Sequence, residues 1–310
     1  MEPLFELSGV THFYGRVCAL RDVSLTVPAG AVGLIGQNGA GKSTLLQILL
    51  GLFRPTAGSV LVQGGAGPVW GLQLRGRVGF MPERDAFVPG LKGIEYVALA
   101  GELCGMPRRQ ALRRAHETLS YLGLEEARYR YLEQYSVGLK QRLKLAATLV
   151  HDPDVLLLDE PTAGLDPDGR AAMLDVLRTL AARPHKSLVL SSHLLGDIER
   201  VCQTAIMLHG GQVVGQGRIS ELCSATAHRF RLRWEGDGTG LVSHLRAQGV
   251  EVQLHERPGE ARVVVPEDWT NRDFFVAARA QQVLLTGLEP EEEDLEAVYH
   301  RLLGGRPRPT

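Results

Sequence analysis

The run Gly36-Gln37-Asn38-Gly39-Ala40-Gly41-Lys42-Ser43, continued by Thr44, has the residue types and spacing of a phosphate cradle. Its glycines let backbone N–H groups turn inward around phosphate oxygens, and a helix opening at the loop adds a field that favours anions. Lys42 is suited to reach β- and γ-phosphates, and the Ser43 hydroxyl to ligate Mg2+. Only five residues of the chain are lysine (42, 92, 140, 144 and 186), so a lysine inside a motif is seldom an accident. A second run, Val155-Leu156-Leu157-Leu158-Asp159-Glu160, carries an apolar stretch into two adjacent carboxylates. The carboxyl ends of such strands are where open α/β sheets bind ligands. Asp159 is suited to hold Mg2+, directly or through water. Glu160 is suited to orient and deprotonate an attacking water, a role worth roughly 10²–10⁴ in rate. These two runs predict a nucleotide-phosphate hydrolase.

Short apolar runs alternating with longer amphipathic segments from Phe5 to about Gln216 predict the α/β fold that must position these groups. Strands are expected at Ala31–Ile35, Ser59–Gln63, Val78–Met81, Asp154–Asp159, Ser187–Ser191, Ala205–Leu208 and Gln212–Gly215. Helices are expected at Lys42–Leu52, Gly93–Leu103, Arg108–Leu122, Leu139–Val150, Asp168–Ala182 and His193–Val201. The stretch from about 88 to 150 reads as a helical subdomain inserted into an ATPase-like core of 1–218. After a linker at 219–227, residues 228–303 follow the order β-α-β-β-α-β of a small ferredoxin-like α+β domain, and 304–310 form a frayed tail.

Composition narrows the possibilities. With 44% hydrophobic and 22% charged residues, the chain is neither globally disordered nor collagen-like. A formal net charge of −1 removes any general electrostatic case for nucleic-acid binding. The most apolar stretch, Leu45–Phe53, is broken by Gln47 and Gly51 and is far too short to span a bilayer. The opening MEPLFELSGV lacks the pattern of a signal peptide. Cys18, Cys104, Cys202 and Cys223 show no metal-binding spacing and read as reduced thiols of a cytoplasmic protein.

Further segments carry a resemblance to the ATP-binding subunits of ABC transporters over about residues 5–216. Tyr135-Ser136-Val137-Gly138-Leu139-Lys140-Gln141-Arg142 is similar to the ABC signature segment, and Ala163-Gly164-Leu165-Asp166 to the D-loop. Ser191-Ser192-His193 resembles the switch-histidine segment, Val78-Gly79-Phe80-Met81-Pro82-Glu83 the Q-loop, and Tyr14 the aromatic residue that stacks on adenine. Taken singly, Tyr14 reads as a packing aromatic, His193 as a capping or core histidine and Ser136 as an N-cap; their joint order outweighs those readings. Ser136, Gly138 and the following helix form a second anion-binding helix start. The resemblance implies that this start faces the γ-phosphate held by another copy, with His193 contacting the γ-phosphate and Asp166 crossing the interface. It implies a homodimer with ATP and Mg2+ between two copies and a separate membrane-spanning permease. The protein would then be cytoplasmic, peripheral on the inner face of the cell membrane.

The chain also departs from the family pattern. Glu83 stands where the Q-loop has glutamine; it can still ligate Mg2+ or its water, and it adds negative charge beside the phosphates. Tyr135 replaces the signature leucine and Val137 its first glycine. These variants, with the ending Leu288–Tyr299, resemble the branch paired with ABC-2-type permeases and so imply export. Two other readings are set against it. A ribosome- or DNA-associated ABC ATPase would ordinarily have two fused halves or long coiled coils, and this chain has one phosphate loop and no room for a coiled coil between Lys42 and Asp159. A nucleotide-gated regulatory subunit would use the C-terminal unit to bind a small effector or only to dimerise; that unit shows no constellation of a site, which favours packing and dimerisation.

Overall fold

The computed structural model describes residues 3–62, 76–224, 229–255, 257–266, 268–290 and 294–304. The expected strand end at Gln63, part of the linker, the strand start at His228 and most of the C-terminal tail lie outside the described residues. The chain divides into two units, Met1–Ile219 with Tyr299–Thr310, and Ser220–Val298.

In the first unit, strands β1 (Phe5–Tyr14), β2 (Val17–Val27) and β4 (Ala57–Val62) form an antiparallel sheet in the order β2-β1-β4. A six-stranded sheet has the order β5 (Val78–Met81), β6 (Val155–Asp159), β7 (Ser187–Ser192), β3 (Ala31–Ile35), β8 (Thr204–His209), β9 (Gln212–Arg218). It is parallel except for β9. Every residue of β3, β6 and β7 is buried, which is why Ala31–Ile35, Val155–Leu158 and Leu188–Leu190 read as unbroken apolar runs rather than as alternation. Helix α1 (Lys42–Leu49) packs Leu45, Leu46, Ile48 and Leu49 into the core that the two sheets share. Burying each such side chain stabilises the fold by about 1.5–3 kcal/mol.

Helices α2 (Gly93–Leu103), α3 (Arg108–Tyr121) and α4 (Val137–Leu149) fill the stretch between β5 and β6. Tyr135 is a packing residue: it is buried, and its hydroxyl donates to the Ala127 carbonyl at 2.7 Å. Beyond β6 come α5 (Pro167–Ala181) and α6 (Leu195–Val201). Helix α7 (Ile219–Ser224) occupies the start of the segment expected to be a linker.

The second unit has β10 (Arg229–Glu235), α8 (Thr239–Ala247), β11 (Glu251–Leu254), β12 (Glu260–Val264), α9 (Asn271–Ala280) and β13 (Leu284–Pro290). Its antiparallel sheet, in the order β11-β12-β10-β13, is the ferredoxin-like arrangement. Phe230, Leu232 and Trp234 of β10 share a core with Leu241 and Leu245 of α8 and Phe274 of α9. Helix α10 (Leu295–Gly304) follows, and its residues from Tyr299 group with the first unit rather than with the accessory domain expected to reach 303. Within the first unit the Tyr299 hydroxyl donates to the Leu208 carbonyl at 3.1 Å. None of the four cysteines forms a disulfide, and burial pushes the Cys202 thiol pKa well up. Among the described residues, no helix is long and apolar enough to cross a membrane.

Candidate active site

Strands β6, β7 and β3 lie side by side, and Ser191 of β7 pairs with Asp159 on one side and Leu34 on the other. Their carboxyl ends therefore present the loop from Gly36, the pair Asp159–Glu160 and the segment Ser191–His193 at one edge. The loop turns into α1 at Gly41, whose φ is +102°. A Cβ there would stand 2.7 Å from the Ala19 carbonyl, so handedness and close approach both select glycine. The first turn of α1 carries no acidic side chain to answer the helix-terminal field.

Lys42 Nζ donates to the Gly36 carbonyl at 2.7 Å and pairs with Glu160 Oε1 at 3.2 Å, both side chains being 6% exposed. Glu160 Oε1 is buried and accepts no well-directed hydrogen bond, so the contact is an ion pair only. Its Oε2 meets His193 Nδ1 at 2.8 Å. Glu160 has φ +47°, a left-handed conformation that costs a non-glycine residue roughly 1–3 kcal/mol. Ser191 holds it there: the Glu160 N–H donates to the Ser191 carbonyl and to Ser191 Oγ, at 3.2 and 3.1 Å. Ser191 Oγ in turn donates to Asp159 Oδ1 at 2.6 Å. One fully buried hydroxyl thus holds the Asp159 carboxylate and the Glu160 backbone. Ser191→Ala takes a donor from the buried Asp159 carboxylate and leaves the Glu160 N–H only the backbone carbonyl of residue 191. It is expected to cost about 1–3 kcal/mol of stability, read from the denaturant midpoint. His193 was expected to open a helix, but α6 begins at Leu195, because Leu194 is extended and its N–H donates to Ser192 Oγ at 3.0 Å. That leaves the imidazole ahead of the helix and facing Glu160.

A cavity of about 390 Å³ opens on these groups, walled by Tyr14, Glu83, Glu160 and the loop residues Gln37, Asn38, Gly39, Gly41, Lys42, Ser43 and Thr44. Gly36, Ala40, Asp159 and His193 stand outside that wall, the last two tied to it through Ser191 and Glu160. Tyr14 is half exposed, with its ring edge-on to His12 and Phe53 at 4.9 and 5.7 Å. The structure does not bring Ser136, Gly138 and Asp166 to this cavity. Ser136 caps α4 by accepting from the Leu139 N–H at 3.4 Å, and Asp166 caps α5 by accepting from the Gly169 N–H at 2.8 Å.

Among the described residues, no cluster of three or more His, Cys, Asp or Glu side chains has the geometry of a protein-only metal cage. The site's oxygen donors suit instead a hard cation held largely by phosphate and water.

Three side chains at or behind the site carry no role in the sequence reading. Ser191 stands in the segment Ser191–His193, whose resemblance marks only the histidine. Gln141 donates to the Ala163 carbonyl at 2.9 Å, tying α4 to the Gly164–Asp166 loop. The Tyr299 oxygen faces the backbone N–H of Gln37 in the phosphate loop, and burial raises its phenol pKa. These roles depend on strand register and on segments far apart in the chain, so no local motif announces them.

Residues 20–163 match the ABC transporter family. The chain is 32% identical to the uncharacterized ABC transporter ATP-binding protein YxlF of Bacillus subtilis, over 97% of this chain and 99% of that protein. It is 35% identical to the Nod factor export ATP-binding protein I of Cupriavidus pinatubonensis, over 72% of this chain and 68% of that one. Among solved structures, the dimeric post-hydrolysis state of the ATP-binding cassette MJ0796, bound to ADP and Pi, matches at a TM-score of 0.63 and 27% identity. That likeness covers 69% of this chain and 98% of the cassette.

Proposed function

This chain belongs to the ABC transporter ATP-binding proteins, and from that premise we propose that it is the ATP-hydrolysing subunit of an exporter. The observation that carries the reading is the Lys42–Glu160 ion pair, set in the wall of a cavity that the phosphate loop forms. A cation suited to triphosphate and a carboxylate suited to activate water share one boundary. Tyr14 stacks on adenine, and the loop from Gly36 to Thr44 cradles the phosphates. Lys42 exchanges its carboxylate partner for phosphate oxygens. Glu160, thereby released, takes the proton of the attacking water, and His193 orients it and contacts the γ-phosphate. Ser43, Asp159 and Glu83 are the residues that would hold Mg2+, which when bound neutralises charge on the phosphates.

Ser136, Gly138 and Asp166 stand away from their own chain's cavity because they serve the other copy. Ser136 and Gly138, at the start of α4, approach its γ-phosphate, and Asp166 crosses between copies. Isologous pairing then yields two equivalent sites. The dimeric cassette among the solved relatives supports this arrangement. Export is supported by the relative named for Nod factor export and by the variants at positions 83, 135 and 137. A separate permease supplies the membrane-spanning part, holding this subunit on the inner face of the membrane. Affinity purification of the tagged full chain from its own cells is expected to bring down a multi-spanning apolar subunit. Recovery with ribosomes in place of such a subunit overturns the transport reading.

A further inference from the structure

Lys144 is a buried cation that the proposed reaction leaves unused. Its side chain is 3% exposed and reaches from α4 to the loop that follows β5. Nζ donates to the carbonyls of Pro82 and Glu83 at 3.1 and 2.9 Å and pairs with Asp85 Oδ1 at 3.3 Å. One turn further along α4, Thr148 Oγ1 donates to the Phe80 carbonyl at 3.3 Å. The backbones themselves come close here, for a Cβ on Gly79 would stand 2.6 Å from the Thr148 carbonyl. Helix α4 is thus fastened along β5 and into its loop, and the same loop delivers Glu83 to the cavity wall beside Lys42 and Glu160.

The charge pattern has the same logic. Asp159, Glu160 and Glu83 gather around a site whose substrate is itself an anion, and Lys42 is already shared with Glu160. Lys144 Nζ, set on the Glu83 carbonyl and paired with Asp85, brings a buried positive charge into the loop that carries Glu83. A neutral glutamine at position 83 would need no such answering charge.

We propose that Lys144 is a positioning residue for ATP hydrolysis, an internal countercharge that makes an acid at position 83 tolerable and fixes its loop against α4. The inference rests on the ATPase reading, and a double-mutant cycle on the full chain separates the two. Phosphate release is measured for wild type, Lys144→Met, Glu83→Gln and the double variant. Lys144→Met is expected to lower kcat at least tenfold when Glu83 is present and less than threefold when it is added to Glu83→Gln. The carbonyls lose their donor in both backgrounds, whereas the countercharge matters in only one. Asp85 is half exposed and is solvated when the lysine goes. Equal losses in the two backgrounds overturn the proposal, since a merely structural lysine behaves that way. Should Lys144→Met alone not fold, recovery of folded protein in the double variant supports the proposal and failure of both overturns it. Absence of wild-type hydrolysis instead overturns the ATPase reading beneath it.

Discussion

Glu160→Gln is expected to abolish turnover while leaving nucleotide binding intact, so that ATP and Mg2+ hold two copies of the protein together on size exclusion. The substitution keeps shape, hydrogen-bonding reach and the demand for a left-handed φ at this position, so the backbone penalty is common to both proteins. What it removes is the negative charge and the ability to accept a proton. A glutamine amide can offer its oxygen to Lys42 or to His193, but it cannot deprotonate water. Loss of a positioned general base costs about 10²–10⁴ in rate. The altered contact with Lys42 works the other way for binding. Its ammonium, paired at 3.2 Å with a carboxylate in the wild type, becomes freer to meet phosphate, so affinity for ATP should hold or rise. A nucleotide that cannot be cleaved keeps both copies clamped. If the Glu160→Gln protein stays monomeric with ATP and Mg2+, alone and with the proposed permease, the shared-site arrangement is wrong.

The same residues show where sequence reading succeeds and where it stops. Strand β3, followed by the phosphate loop, is legible because both halves are local: a fully buried parallel strand is an unbroken apolar run, and the cradle is a contiguous string of glycines closed by Lys42 and Ser43. The β-α-β-β-α-β order of the second unit is legible for a similar reason, since each element carries its own periodicity. Strands β1 and β2 escape the reading although they are the longest among the described residues. Their pairing shifts register between Leu7 and Val10 and again up to Phe13, with Gly9 and Asp22 at positive φ, so the alternation of β1 breaks after Leu7, whereas Val23–Val27 of β2 does alternate buried with exposed and carries a strand signal. Helix α1 was expected to reach Leu52 but ends at Leu49, with Gly51 at φ +72° marking the stop. At the site, the residues that would touch ATP are marked by their motifs, while the roles of those that support them are not. Ser191 acts through cross-strand register and Lys144 through a helix-to-loop contact spanning some sixty positions, and such contacts exist only once the chain has folded.

Lys42→Ala should fail one step earlier, at binding. The ammonium now holds the Gly36 carbonyl at 2.7 Å and Glu160 at 3.2 Å, and it is the cation in the wall of the cavity. Alanine removes the charge-assisted contacts offered to the phosphates, each worth about 1.5–3 kcal/mol, so affinity for ATP should fall by roughly ten- to a hundredfold or more. It also strands Glu160. A carboxylate 6% exposed loses its cationic partner and keeps only the imidazole of His193, so the empty protein is destabilised as well. Lys42→Arg does not repair the site, because a planar guanidinium cannot replace a compact ammonium folded back onto a loop carbonyl. Titration with a fluorescent ATP analogue and assay of phosphate release then separate the Glu160 and Lys42 variants. Glu160→Gln binds without turning over, and Lys42→Ala does neither. Turnover by Lys42→Ala at the wild-type rate would remove the phosphate loop from the reaction, and with it the assignment of every residue placed around that loop.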